Sequence, residues 1–226
     1  MGKIDVTLNG TPVSGDEGMT ILKLAQENGI DIPTLCYMEE LTPTGACRIC
    51  VVEVKGARTL VAACHTPIQP GMDIQTHSPK VLKARRMILD LLFASHSGSC
   101  LMCDKANLCE LRKIAADLEF DLPRIKGEKH YYPIEEISPY IVRDLSKCIL
   151  CRRCVRACRE IKKEGILGIG YRGFDSKVVV DLDQELDKSV CESCDVCVLA
   201  CPVGALTKKD ERFAAKKKGT PLVITG

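Results

Sequence analysis

Fifteen of the 226 residues are cysteine, and their spacing follows a pattern that metal chemistry explains. Cys148, Cys151, Cys154 and Cys158 form a C-x2-C-x2-C-x3-C run. Cys191, Cys194, Cys197 and Cys201 repeat it, with Pro202 behind the last thiol. Paired runs of this kind hold two [4Fe–4S] centres: each tight C-x2-C-x2-C turn gives three thiolates to one centre, and the fourth cysteine crosses to the other. The spacing therefore predicts one centre on Cys148, Cys151, Cys154 and Cys201. It predicts a second on Cys191, Cys194, Cys197 and Cys158.

Seven cysteines remain. Cys36, Cys47, Cys50 and Cys64 form C-x10-C-x2-C-x13-C. Their wide outer spacings and their place in a strand-rich segment favour a [2Fe–2S] centre over a zinc site, although C-x2-C pairs also hold zinc. His65 follows Cys64, but no second Cys–His pair accompanies it, so a Rieske centre is not expected. Cys100, Cys103 and Cys109 are one ligand short of a set. His96 completes H-x3-C-x2-C-x5-C, and a third [4Fe–4S] centre is expected on His96, Cys100, Cys103 and Cys109. Every thiol then has a role. A neutral imidazole in place of a thiolate makes that centre less negative and should raise its potential.

These side chains need elements to hold them. Ile4, Val6 and Leu8 alternate as a half-buried strand. Asn9-Gly10 is a two-residue hairpin signal, and Thr11 to Ser14 returns. Thr20 can cap a short helix carrying Ile21, Leu22, Leu24 and Ala25, which Gly29 can end. Strands follow near 50–54 and 60–63. That order is the order of a β-grasp domain, and the small residues of the 42–46 loop would let backbone N–H groups approach sulfur. Ser78-Pro79 opens a helix with Val81, Ala84, Ile88, Leu91 and Leu92 at helical spacing, delivering His96 at its end. A second helix over 106–118 would carry Cys109. Strands are expected at 166–171 and 177–180. Gly168, Gly170 and Gly173 match G-x-G-x-x-G, but a turn between two strands suits them better than a dinucleotide site, which needs a helix opening within the motif.

Composition sets limits on the rest. Formal net charge is +2 with 27% charged residues, so a nucleic-acid partner is not expected. No apolar stretch is long enough to span a membrane, and the N-terminus lacks the apolar run of a signal peptide. Cysteine clusters without an export signal point to a reducing, cytoplasmic compartment. Aromatics make up 4% and tryptophan is absent, so metal centres would serve as internal staples. Arg152, Arg153, Arg156 and Arg159 around the first run form either a solvated face or a positive patch that guides a partner.

Taken as a set, the cysteine and histidine motifs resemble the N-terminal iron–sulfur region of the complex I large iron–sulfur subunit, of [FeFe] hydrogenases and of NAD-dependent formate dehydrogenases. As a short chain the sequence is most similar to the small iron–sulfur subunit of the diaphorase half of NAD-reducing hydrogenases. Residues 91–96 (LLFASH), 109–111 (CEL) and 138–144 (SPYIVRD) carry the same likeness. The resemblance implies an α+β chain in modules: a β-grasp [2Fe–2S] ferredoxin domain over 1–78, a small helical His/Cys3 [4Fe–4S] module over 79–121, a linker over 122–137, a two-cluster [4Fe–4S] ferredoxin-like domain over 138–210 and a basic tail over 211–226. It implies a hetero-oligomer with a flavin- and NAD(H)-binding subunit and a catalytic subunit of hydrogenase or dehydrogenase type. The sequence runs only about 25 residues past Cys201, so catalysis is expected in those partners and no catalytic residue in this chain. A free-standing polyferredoxin shuttle and a zinc-binding interaction protein are the competing readings.

Overall fold

Asn9 and Gly10 take φ of +52° and +85°, the left-handed pair that a type I′ turn requires and that these two residues tolerate best. They join β1 (Lys3–Leu8) to β2 (Thr11–Asp16) as an antiparallel hairpin with Leu8 opposite Thr11. The structure is a computed structural model that describes residues 2–97, 100–136, 138–184, 186, 191 and 194–209. The 211–226 tail lies outside the described residues.

Thr20 accepts a hydrogen bond from Lys23 N at 3.3 Å and caps α1 (Ile21–Glu27), whose Ile21, Leu22, Leu24 and Ala25 are buried. Three short strands follow: β3 (Val51–Val54), β4 (Val61–Ala62) and β5 (Asp73–Gln75). They complete a five-stranded sheet in the order β2-β1-β5-β3-β4. The pairing of β5 is parallel to β1 and antiparallel to β3, so three residues not expected as a strand occupy the sheet centre. At the opposite extreme β2 is an edge strand, which tolerates Pro12. Val6, Leu8, Val52 and Ile74 from the sheet meet Ile21 and Leu24 of α1 in one core.

Ser78 caps α2 (Pro79–Ser95): its Oγ accepts from Val81 N at 3.3 Å and donates to Glu53 on β3 at 2.6 Å. The buried face of α2 is Val81, Arg85, Leu89, Asp90 and Ala94. That corrects the expected apolar stripe, since Leu91 is exposed. The true stripe follows the helical period through two charged residues, which an apolar count passes over. The expected helix over 106–118 is also divided. A single 3-10 turn at Ala106–Leu108 precedes α3 (Glu110–Asp117), and Cys109 sits extended in the break between them.

Two compact units result. The first takes the described residues up to Ser95 together with Glu110–Glu128, so α2 and α3 belong to it. There Phe93 stacks on Phe120 with ring centroids 5.3 Å apart, and buried Asp90 accepts from Arg124 N at 2.9 Å. The second unit takes His96–Cys109 and the described residues from Lys129 onward. The 79–121 stretch is thereby shared between the units.

In the second unit β6 (Ile141–Arg143) pairs antiparallel with β9 (Leu206–Lys208). A hairpin of β7 (Leu167–Gly170) and β8 (Lys177–Val180) fills the interval between the two cysteine runs. Gly168 and Gly170 lie on β7 and Gly173 opens a 3-10 turn between these strands, with φ of +62°, so the G-x-G-x-x-G match is a strand and the turn after it, with no helix opening within it. The helices α4 (Arg153–Arg156) and α5 (Val196–Ala200) are one turn each, and α4 continues as a π turn over Ala157–Ile161. No described helix is long and apolar enough to cross a membrane.

Candidate iron–sulfur sites

Each cysteine run is held by the same local device. Arg152 and Asp195, one residue past the second cysteine of each run, adopt left-handed φ of +62° and +57° and precede α4 and α5. Leu150 adds a third left-handed residue at +54°, and its N–H donates to Cys148 Sγ at 3.4 Å. Left-handed backbone is unfavourable for such residues. Here it curls the chain so that successive cysteines point inward and N–H groups reach sulfur.

The third and fourth cysteines then part company. Cys148, Cys151 and Cys154 line one small cavity together with Cys201. Cys191, Cys194 and Cys197 line another together with Cys158, which sits on the π turn. π turns often mark functional positions. Each cavity thus gathers three thiols from one run and one from the other, the grouping expected from spacing. Burial pushes the Cys148 thiol up to about 11 and Cys151 to about 12. Cys197 rises to about 12 from burial and then from neighbouring thiols, and Cys154 rises well above its ordinary range for the same reasons. Arg153 and Arg143 oppose this at Cys151 and Cys148. Buried in this way, Cys148, Cys151, Cys154 and Cys197 keep their protons until a cation takes their place.

In the first unit Cys36, Cys50 and Cys64 are each 1% exposed, and Cys47 is half-buried. The four thiols contact one another. The Cys36 thiol is held far below its ordinary range by donation from the Cys47 thiol, then from Cys64, with backbone N–H groups of Cys47 and Ala46 adding to it. Cys47 and Cys64 are raised chiefly because each donates to Cys36. Cys50 is lowered to about 7, first by donation from Cys64. Cys47 N lies 3.5 Å from Cys36 Sγ, so the loop before Cys47 brings an N–H to sulfur. Gly45 permits this with φ of +60°. Among the described residues no group of three or more His, Cys, Asp or Glu is drawn in around a single metal ion.

The donor chemistry fits iron–sulfur centres. All four groups lie beside cations or N–H donors, and Arg85, buried next to the Cys36 set, has an Nε with no partner. An orphaned buried cation calls for an anion.

His96, Cys100, Cys103 and Cys109 fall in one segment of the second unit. Ser97 fixes its start, donating from Oγ to His130 O at 2.8 Å and Ser146 O at 2.6 Å. His96 is half-buried, and burial, then Lys129 and Lys147, lowers its pKa and keeps the imidazole neutral, the ligating form. Cys100 is exposed on a 3-10 turn, while Cys103 and Cys109 are half-buried. Neither of the two cavities collects these four.

Spacing alone missed three residues. A Cβ built on Gly204 would lie 2.7 Å from Cys103 Sγ, so glycine there permits a close approach. Lys105 Nζ donates to Cys201 O at 2.5 Å. The third is Arg85, whose place on the apolar stripe between Val81 and Leu89 was the available signal.

Comparison with known proteins gives three successive family matches along the chain. Residues 2–79 match the family described as 2Fe-2S iron-sulfur cluster binding domain. Residues 85–124 match the NADH-ubiquinone oxidoreductase-G iron-sulfur binding region, and 138–207 the ferredoxin-like domain of NADH-quinone oxidoreductase subunit 3. The chain is 40% identical over 216 residues to the NADP-reducing hydrogenase subunit HndD of Solidesulfovibrio fructosivorans, covering 93% of this chain and 37% of that protein. It is 35% identical over 216 residues to the mitochondrial NADH-ubiquinone oxidoreductase 78 kDa subunit of Neurospora crassa, covering 95% and 29%. It thus spans roughly a third of these relatives' lengths. A chain in the crystal structure of an NAD+-reducing [NiFe]-hydrogenase in the H2-reduced state superposes with a TM-score of 0.81 at 30% identity, covering 91% of this chain and 87% of that one.

Proposed function

The chain belongs to the iron–sulfur subunit family of NADH–quinone oxidoreductases and NAD-reducing hydrogenases, and from that premise we propose that it relays single electrons within a multi-subunit NAD(H)-linked oxidoreductase. The relay joins a flavin- and NAD(H)-binding subunit to a catalytic subunit. The catalytic partner is of hydrogenase type, with a formate dehydrogenase or another reductase as the next reading. The hydrogenase relatives support that order.

In this reading Cys36, Cys47, Cys50 and Cys64 hold one [2Fe–2S] centre. His96, Cys100, Cys103 and Cys109 hold a [4Fe–4S] centre, and the two four-thiol cavities hold two more. When bound, the centres supply one-electron storage at potentials set by charge, hydrogen bonding and exposure. The chain's own residues place and tune them. Left-handed Leu150, Arg152 and Asp195 aim thiols inward, Arg143 and Arg153 offset negative charge, and backbone N–H groups reach Cys36 and Cys148.

The observation that carries the reading is the pair of cavities, each lined by four thiols drawn from both runs. A zinc-bound interaction protein has no need of such an exchange. The test is purification of the native complex with iron, acid-labile sulfide and flavin measured on each subunit. About 14 irons on this chain, with flavin on a neighbour, is the expected result. Zinc without sulfide, or a chain migrating alone, overturns it.

A further inference from the structure

Arg85 is 1% exposed and among the largest fully buried side chains. It projects from α2 onto β3, where its guanidinium donates to Val51 O at 3.0 Å. Val51 directly follows Cys50. The Arg85 Nε is buried and has no hydrogen-bond partner among the described residues. Among the described residues no buried carboxylate pairs with it. Asp90, the other buried charge on α2, is taken up by Arg124 at 2.8 Å. The buried Arg143 of the second unit faces Glu135 at 3.1 Å. The charged groups that act on Arg85 are Cys50 and the exposed Asp31. Exposed His77, at the foot of α2, feels its charge in turn.

A buried guanidinium next to Cys50, short of a counter-ion, is costly unless something anionic shares its site. We propose that Arg85 is a positioning and tuning residue for the centre on Cys36, Cys47, Cys50 and Cys64: its uncompensated charge holds that centre's reduction potential up. This rests on the [2Fe–2S] reading. Reduction adds one electron and no atom, taking a doubly negative four-thiolate centre to a triply negative one. A fixed cation behind Cys50 favours the more negative state. Burial draws the Arg85 pKa down to about 10, which leaves it charged at neutral pH. The low-dielectric surroundings make the charge felt strongly by its neighbours.

The test is an EPR-monitored redox titration of the full chain at neutral pH, with dithionite as the electron donor. Arg85→Gln can keep the bond to Val51 O without the charge, and Arg85→Met keeps the bulk. Both are expected to make the [2Fe–2S] centre at least tenfold harder to reduce, a fall of 59 mV for a one-electron couple. The [4Fe–4S] signals should not move. Arg85→Lys, which keeps a cation, should restore most of the shift. A neutral variant that holds the centre at the wild-type potential overturns the proposal. So does an Arg85→Lys value equal to that of Arg85→Gln, or loss of the centre from both neutral variants, since Arg85 would then be a packing strut. A wild-type chain without a [2Fe–2S] signal sinks the underlying reading instead, and the proposal with it.

Discussion

Cys158 follows Cys154 by four residues yet lines the other cavity, with Cys191, Cys194 and Cys197. The π turn over Ala157–Ile161 carries it there. Cys201 makes the reverse crossing, and its thiol donates to Val203 O at 3.1 Å. Cys201→Ser should therefore damage the centre on Cys148, Cys151 and Cys154, while Cys158→Ser should damage the other. Iron content with EPR or Mössbauer spectra of each variant would check this, and damage confined to the Cys191 run in Cys201→Ser would refute it. Gly204 offers a second residue-level test. A methyl there meets Cys103 Sγ at 2.7 Å, inside any normal contact. Gly204→Ala is expected to alter or empty the His96 centre before it disturbs the core, seen as loss of one EPR species at nearly unchanged thermal stability. The grouping of thiols behind the first pair was legible in the sequence, because the spacing within each run is local. The second was not, since Cys103 and Gly204 meet only through the fold.

Among the elements, legibility tracked local chemistry. The β1–β2 hairpin announces itself through Asn9-Gly10, and α1 through Thr20 and its apolar face. The strand β5 has one apolar residue, Ile74, flanked by Asp73 and Gln75, and is a strand only because β1 and β3 pair with it. In α2 the buried stripe runs through Arg85, which among the described residues has only a backbone bond to Val51 O, and Asp90, which has Arg124 as a charged partner. Asp90 shows how much such a partner is worth. Its carboxylate accepts from Arg124 N at 2.9 Å and from the Arg124 guanidinium at 2.8 Å, tying the chain after α3 back onto α2. Backbone and then side-chain donation from Arg124 lowers its pKa. The folded form thus binds this proton less tightly than the unfolded chain. Its contribution is present at neutral pH, above the unfolded carboxylate range near 4, and fades as pH falls through the lower folded value. Asp90→Ala should cost about 2 kcal/mol at pH 7, the scale of charge-assisted hydrogen bonds, and less in acid. Denaturant unfolding of the first unit at several pH values would measure it, and an equal loss at pH 7 and pH 3 would contradict the assignment.

At the scale of the whole molecule, the two units rest on different supports. The first has a five-stranded sheet and a helix closed over a continuous apolar core. Among its described residues the second has two two-stranded sheets and α-helices of four and five residues. Helices that short do not stand alone, and isolated two-stranded hairpins are marginal in water. Ligand bonds to metal centres must therefore contribute a large share of its stability. Removing iron should open the second unit while leaving the sheet of the first. In hydrogen exchange, amides of β6 to β9 should lose protection and those of β1, β3 and β5 keep it. Equal loss in both units, or none in the second, would refute the division. The pH dependence of the iron-free chain follows from its thiols. Cys148, Cys151 and Cys197 are raised from the ordinary 9.0 to about 11, 12 and 12. The folded unit therefore holds these protons more tightly than the unfolded chain. That stabilisation is complete below pH 9 and is lost as pH climbs toward 11–12. Residual structure of the iron-free second unit should accordingly melt at lower temperature at pH 10.5 than at pH 8. Reloading with iron and sulfide displaces the same protons, so it should proceed further at pH 8.5 than at pH 7, with proton release measurable in weakly buffered solution.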